Sequence, residues 1–148
     1  MSFTDVRPYF RARIETAAPK LKEWTDGFNQ ENIPATLIQR GCFHIAVGRF
    51  QLVKRNQNGC FEFAGVATLN LYADGTKDPQ KCIDEIIATG QAIAIESLKA
   101  KNRATQPSIK NVDLGNFDPS ALSISNDNKI RLTMDFNLTI YLDIEERP

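Results

Sequence analysis

The chain has 148 residues, with lysine plus arginine at 18 and aspartate plus glutamate at 18, so its formal net charge is zero. That length suits a single domain able to hide roughly 68 to 70% of its unfolded surface. The charge balance excludes a molecule that is basic throughout, as a free nucleic-acid or membrane-surface binder would be, and leaves the moderate solubility of a protein that ends in an assembly.

The opening, MSFTDVRPYF, lacks the positive and then apolar profile of a signal peptide, and no run approaches the ~18 apolar residues of a membrane span, so a cytosolic product with no membrane partner is expected. Thr4 reads as the N-cap of a first helix, with Asp5 in its first turn and Pro8 tolerated near the start. Val6, Phe10 and Ile14 make an apolar stripe at helical spacing. Pro19 ends or kinks this helix, and Leu21 and Trp24 extend its apolar face by a turn.

Asp26-Gly27 signals a turn and Pro34 a break, yet Trp24, Phe28, Ile33, Leu37 and Ile38 make this connector too apolar for a solvated loop. An ordered extended segment pinned to the core is expected. Phe43, Ile45 and Val47 alternate, whereas Phe50 and Leu52 fall on the other parity, so Gly48 marks a bulge where the phase changes. Asn56, Gln57, Asn58 and Gly59 form a turn, and residues 60–72 are the return strand of a hairpin closed by Asp74-Gly75.

Asp78 as N-cap with Pro79 at the first helical position opens the strongest helix. Ile83, Ile86, Ile87, Gly90, Ala94 and Leu98 follow helical spacing, with Ala92 and Ile93 widening the face. Gly90 costs about 1 kcal/mol against alanine, so close packing on a strand is its expected reason. Lys99, Lys101 and Arg103 suit the negative end of the helix dipole. Ile109, Val112 and Leu114 make a less regular apolar segment, Asp118-Pro119 a turn, and Leu122 with Ile124 a short strand before the Asn126-Asp127-Asn128 turn.

Residues 130–144, IRLTMDFNLTIYLDI, alternate without a break. Ile130, Leu132, Met134, Phe136, Leu138, Ile140, Leu142 and Ile144 are apolar, and Arg131, Thr133, Asp135, Asn137, Thr139, Tyr141 and Asp143 stand between them. Alternate side chains of a strand point to opposite faces, so this is one antiparallel strand with a dry and a wet face. At about 3.3 Å per residue it spans roughly 50 Å, long enough to project past its own domain. The fold class is α+β: a mainly antiparallel sheet with two principal helices packed on one face and a long C-terminal strand.

Chemistry is sparse. Cys42, Cys60 and Cys82 are odd in number and lack CxxC spacing, which supports neither a disulfide framework nor a zinc ribbon and suggests a reducing compartment. Cys42 and the single histidine, His44, share a strand face, but a structural zinc site needs four ligands, so a packed or surface histidine is the simpler reading. No G-x-S-x-G elbow and no phosphate-cradling glycine pattern occurs. Glu145-Glu146 and Asp84-Glu85 read as solvated faces, and Asn137-Leu138-Thr139 is a formal glycosylation acceptor only. No catalytic, cofactor or metal residue is assigned, and no enzyme is expected. The wet face of the long strand has two readings: ordinary solvent exposure, or contact with a neighbouring subunit or an enclosed channel.

The wording EWTDGFNQENIPATLIQRGCFHIAVG over residues 23–48, followed by VATLNLYADG and the helix opening DPQKCIDEI, resembles tailed-bacteriophage tail terminator (tail completion) proteins. The likeness covers most of the chain by element order and carries no catalytic motif. It implies a homohexameric ring on the head-proximal end of the tail tube, which stops tube growth and presents a surface to the head connector. The implied partners are further copies of the chain, the tail tube protein, a head-completion or connector protein, and viral DNA passing through the lumen without sequence readout. The implied location is the virion's tail-neck junction, after synthesis in the host cytoplasm. Candidate interface or lumen residues are Arg131, Asp135, Asn137, Thr139, Tyr141, Asp143 and Glu145. Candidate tube or neighbour contacts are Phe28, Ile33, Leu37, Arg55, Asn56, Gln57 and Asn58. Another neck or tail-tube component, or a small-ligand or enzymatic α+β domain, are the alternatives.

Overall fold

A computed structural model describes residues 2–25, 33–55, 59–106, 108–119, 122–125 and 128–143, and of residues 2, 3 and 143 the backbone alone. The alternation in the C-terminal stretch produces strand β6, Lys129–Asp143, in which Ile130, Leu132, Met134, Phe136, Leu138 and Ile140 are at most 2% exposed. Arg131, Thr133 and Asn137 between them are exposed. Strand β3, Cys60–Asp74, pairs antiparallel along all of it, from Cys60 opposite Asp143 to Asp74 opposite Lys129. The long strand therefore does not project alone as expected; its partner is equally long.

Around this pair the order is β1-β2-β3-β6-β4, with β1 at Lys22–Glu23, β2 at Cys42–Arg55 and β4 at Ile109–Phe117; β5, Ser123–Ile124, also pairs β6. Every pairing is antiparallel except the short β1 on β2. In β2 the register steps from Val47 opposite Ala67 to Phe50 opposite Gly65, which places the expected bulge at Gly48-Arg49. The extra residue returns Phe50 to the face of Phe43 and Ile45, and its ring fills the space above Gly65, where an added Cβ would lie 2.4 Å from it.

Helices α1, Val6–Ala17, and α3, Pro79–Leu98, cover one face of the sheet. Val6, Tyr9, Phe10 and Ile14 of α1 meet Ile86, Ile93 and Ala94 of α3 and the inward residues of β2, β3 and β6 in one core. Asp78 caps α3 as read, its carboxylate accepting from the Lys81 N–H at 3.1 Å. Gly90 lets α3 sit close to the sheet, since a Cβ there would lie 2.7 Å from Leu132 Cδ2 and 3.0 Å from the Phe117 ring. Near the end of α3 the buried face differs from the expected one. Ser97 is buried while Ala92 and Leu98 are exposed, because Ser97 satisfies itself on the Ile93 carbonyl at 2.8 Å and its own carbonyl accepts the Tyr9 hydroxyl at 2.6 Å.

Four local readings are corrected. Thr4 lies within a 3₁₀ turn, Ser2–Asp5, and the cap position of α1 falls to Asp5, whose carboxylate instead accepts from the Ser108 hydroxyl at 2.6 Å, tying the N-terminus to the strand region after α3. Leu21 does not continue α1, because Pro19 forces Ala18 out of the helical region and the chain leaves as β1. The connector is not extended in its described part: Pro34 starts a short helix, α2, Ala35–Arg40, which Gly41 ends at φ 84°. Strand β4 looks irregular in sequence because Lys110 and Gly115 are extra residues at two bulges; with them skipped, Ile109, Val112, Leu114 and Phe117 lie opposite Ile140, Leu138, Phe136 and Met134. A short helix α4, Ala100–Arg103, leads from α3 toward β4.

Candidate subunit-contact face

Strand alternation that sends even-numbered β6 residues into the core sends the odd-numbered ones to the opposite face, away from α1 and α3. There Arg131, Asp135, Asn137, Thr139 and Tyr141 lie opposite Tyr72, Thr68, Val66, Ala64 and Glu62 of β3. On the other flank Asn116, Asp113 and Asn111 of β4 lie opposite Asp135, Asn137 and Thr139. Cross-strand bonds order this polar surface, Thr68 Oγ1 donating to Asp135 Oδ1 at 2.8 Å and Thr133 Oγ1 to Asn70 Oδ1 at 2.8 Å, and within β4 Asn111 Nδ2 donates to Asp113 Oδ2 at 2.7 Å.

The bulge at Lys110 puts its ammonium over the Tyr141 ring, 5.1 Å from the centroid, and 3.0 Å from Glu62 Oε1. Hydrogen bonding to Lys110 holds the Glu62 carboxyl below its usual range, and the Tyr141 hydroxyl followed by the Glu62 carboxylate hold the Lys110 ammonium up. The face is thus a rigid, hydrogen-bonded polar plane. It holds acidic Asp113, Asp135 and Glu62 against basic Lys110, Arg131 and Lys54, which lies opposite Glu62.

One end of this face is covered by the chain itself. Ile33 and Ile38 bury Cys42 and Tyr72 there, with Trp24 and Leu37 packed against them. Ile33 is 4% exposed, so this candidate neighbour contact is spent on its own chain, and Leu37 is partly so. Arg55 lies at the far end of the β2–β3 arm, its guanidinium 5.1 Å from the centroid of the Phe61 ring. Since Cys42 pairs Tyr72 and Arg55 pairs Phe61, the two groups are eleven β3 residues apart, about 36 Å. Arg55 and the described part of the connector, Ile33 and Leu37, therefore do not form one surface. Asp143 closes the ladder opposite Cys60, its side chain outside the described residues, as are Glu145, Phe28, Asn56, Gln57 and Asn58.

Sequence reading missed the β3 and β4 members of the polar face, Glu62, Thr68, Lys110, Asn111 and Asp113. Nothing local in the chain announces which residue a strand will face across a ladder. It also missed the exposed apolar side chains of the arm, Leu52 at 47% and Val53 at 62%, whose signal was an apolar pair beside the hairpin turn.

Of the buried polar groups nearby, Trp24 Nε1 has no hydrogen-bond partner among the described residues, whereas the histidine has one. His44, 7% exposed, has Nδ1 2.9 Å from the Trp24 carbonyl oxygen. Burial pushes the Cys42 thiol up to about 11, far from a reactive thiolate at neutral pH. Among the described residues no group of three or more histidine, cysteine, aspartate or glutamate side chains is placed to hold a metal ion, and no helix is long and apolar enough to cross a membrane.

The chain matches no protein-family model and no curated protein. A functional reading therefore stands on the geometry and on the worded resemblance of residues 23–48.

Proposed function

We propose that the chain is a structural virion protein that caps the head-proximal end of a phage tail tube as a homohexameric ring, ending tube polymerisation and forming the joint to the head connector. The observation that carries this reading is a hydrogen-bonded polar sheet face, some ten residues of β3 and β6 long, that the chain's own helices leave uncovered. Pinning Asp135 and Thr133 by cross-strand bonds, and Asn111 by a bond along its own strand, lowers the side-chain entropy lost when another surface docks on them.

A ring requires heterologous contacts whose rotation closes, so each copy must offer two different surfaces. The polar face is one, and the arm with Leu52 and Val53 or the α2 region supplies the other. A channel along which DNA slides disfavours dense lysine and arginine, because neutralised phosphates bind tightly. Asp113, Asp135 and Glu62 set against Lys54, Lys110 and Arg131 leave the face without the cationic excess that would hold DNA. Electron microscopy of the purified protein, alone and mixed with tail tubes, tests the reading: six-fold rings or capped tubes support it, and monomers in both settings end it. Deletion of the gene should give tails of uncontrolled length; normal tails would also end it.

A further inference from the structure

A cleft of about 610 Å³ opens where the end of α1, α2, the last residues of β3 and the first turns of α3 meet. Leu21, Ile38, Leu71 and Ile86 give it apolar walls, and Lys20, Arg40, Lys77 and Lys81 stand around it with Asp74, Asp78 and Glu85. Two of those carboxylates already serve the chain's own backbone: Asp74 accepts from Thr76 N at 3.0 Å and Asp78 from Lys81 N at 3.1 Å. None of the four cations makes a salt bridge among the described residues. Apolar walls under unpaired cations fit a short extended segment with an apolar side chain beside carboxylates.

This chain carries such a segment at the other end of its longest strand. Asp143 is followed by Ile144, Glu145, Glu146, Arg147 and Pro148, in which one large apolar residue stands directly before two adjacent carboxylates. Reach decides which cleft it can enter. Ala73 and Asp74 at the cleft pair with Ile130 and Lys129, thirteen and fourteen strand residues from Asp143, a separation of about 43 Å or more. Five extended residues span at most ~18 Å. The stretch cannot enter its own cleft; in a head-to-tail array it meets the cleft of the next copy.

We propose that residues 144–146 of one copy dock in this cleft of its neighbour, Ile144 against the apolar walls and Glu145 and Glu146 toward Lys20, Arg40, Lys77 and Lys81. The contact is heterologous, as a closed ring demands, and it borders α2. The proposal rests on the ring reading and supplies one of the contacts that reading requires.

Cross-linking tests it directly. In a Cys60→Ser background, which removes the thiol opposite Asp143, Glu145→Cys should be joined to Cys82 of another copy by a short bifunctional thiol reagent. The product is a ladder of covalent oligomers that Cys82→Ser abolishes; Cys42 is buried and stays silent. Charge reversal gives a second arm. Lys77→Glu with Lys81→Glu should weaken self-association about five- to tenfold, Glu145→Lys with Glu146→Lys likewise, and the four changes together should restore it. Rings that form with unchanged affinity in every charge variant and give no ladder overturn the docking while leaving the ring intact. Absence of any oligomer from the unmodified protein, in solution and on tail tubes, overturns both. Protection of Cys82 from alkylation by inorganic phosphate, equal in a chain lacking residues 144–148, would make the cleft a small-anion site and also overturn the docking.

Discussion

The two faces of the central sheet come from the same strands and differ only in the parity of their residues, yet they are closed in opposite ways. On the dry face, Phe136, Leu132 and Met134 are finished by α1 and α3, and toward the sheet's margins large apolar side chains of that parity, Leu52 and Leu114, are left exposed. On the polar face, Asp135, Asn137 and Thr139 of β6 lie opposite residues of β3 and β4, with Asp135 accepting from Thr68, and neither α1 nor α3 lies above them. Burial organises the first face and cross-strand bonding organises the second. The first carries folding stability, and the second is a surface ready for something outside the chain.

Substitutions should separate the two roles. Phe136→Ala removes a ring 5.0 Å from that of Phe10 in the centre of the core, and should cost about 3–5 kcal/mol in urea denaturation. A loss under 1 kcal/mol would mean the dry face is not the stabilising one. Gly90→Ala gains helix propensity but forces a Cβ onto Leu132 and Phe117; the overpacking cost of about 1–3 kcal/mol should exceed the ~1 kcal/mol gain, leaving net destabilisation. Increased stability would show that α3 can lift from the sheet freely. Asp78→Ala, which deletes the cap on Lys81 N, should cost about 1 kcal/mol by the same measurement.

On the polar face the expected stability effects are smaller and depend on pH. The folded Glu62 carboxyl sits lower than in the unfolded chain because Lys110 donates to it. Its contribution is therefore complete above the unfolded value of about 4.3 and is lost as pH falls through the lower folded one. Lys110 has the opposite sign: held up by Tyr141 and then Glu62, it contributes below about 10.4 and loses that contribution as pH rises through its raised value. The Tm difference between the native chain and Lys110→Gln should shrink as pH is taken below the carboxylate range; a constant difference would assign the role of Lys110 to its packing on Tyr141.

Much of the architecture is legible in the chain because local signals agree with the tertiary result. Unbroken alternation dictates β6, Asp78-Pro79 marks the start of α3, and the parity change around Gly48 locates a real bulge. The failures have physical causes. Strand β4 hides its pattern behind Lys110 and Gly115, whose bulges can be recognised only once the partner strand is known. The six residues of α2 are too few for helical periodicity to show, and Pro34, which opens that helix, reads in isolation as a breaker. Of the polar face, the β6 half is legible from alternation. The β3 half depends on a register set by partners 55 or more residues away, as between Thr68 and Asp135, and the β4 half on partners 17 to 31 residues away reached across two bulges.

The most direct test of that division is Asn137→Arg, an exposed position at the centre of the polar face whose side chain takes no part in the core. Its effect should be read by light scattering alongside urea denaturation. The account predicts stability within about 0.5 kcal/mol of the native chain, together with loss of the assembly of six 16.6 kDa copies, about 100 kDa, in solution or on tail tubes. An Asn137→Arg protein that assembles as the native one does would contradict it.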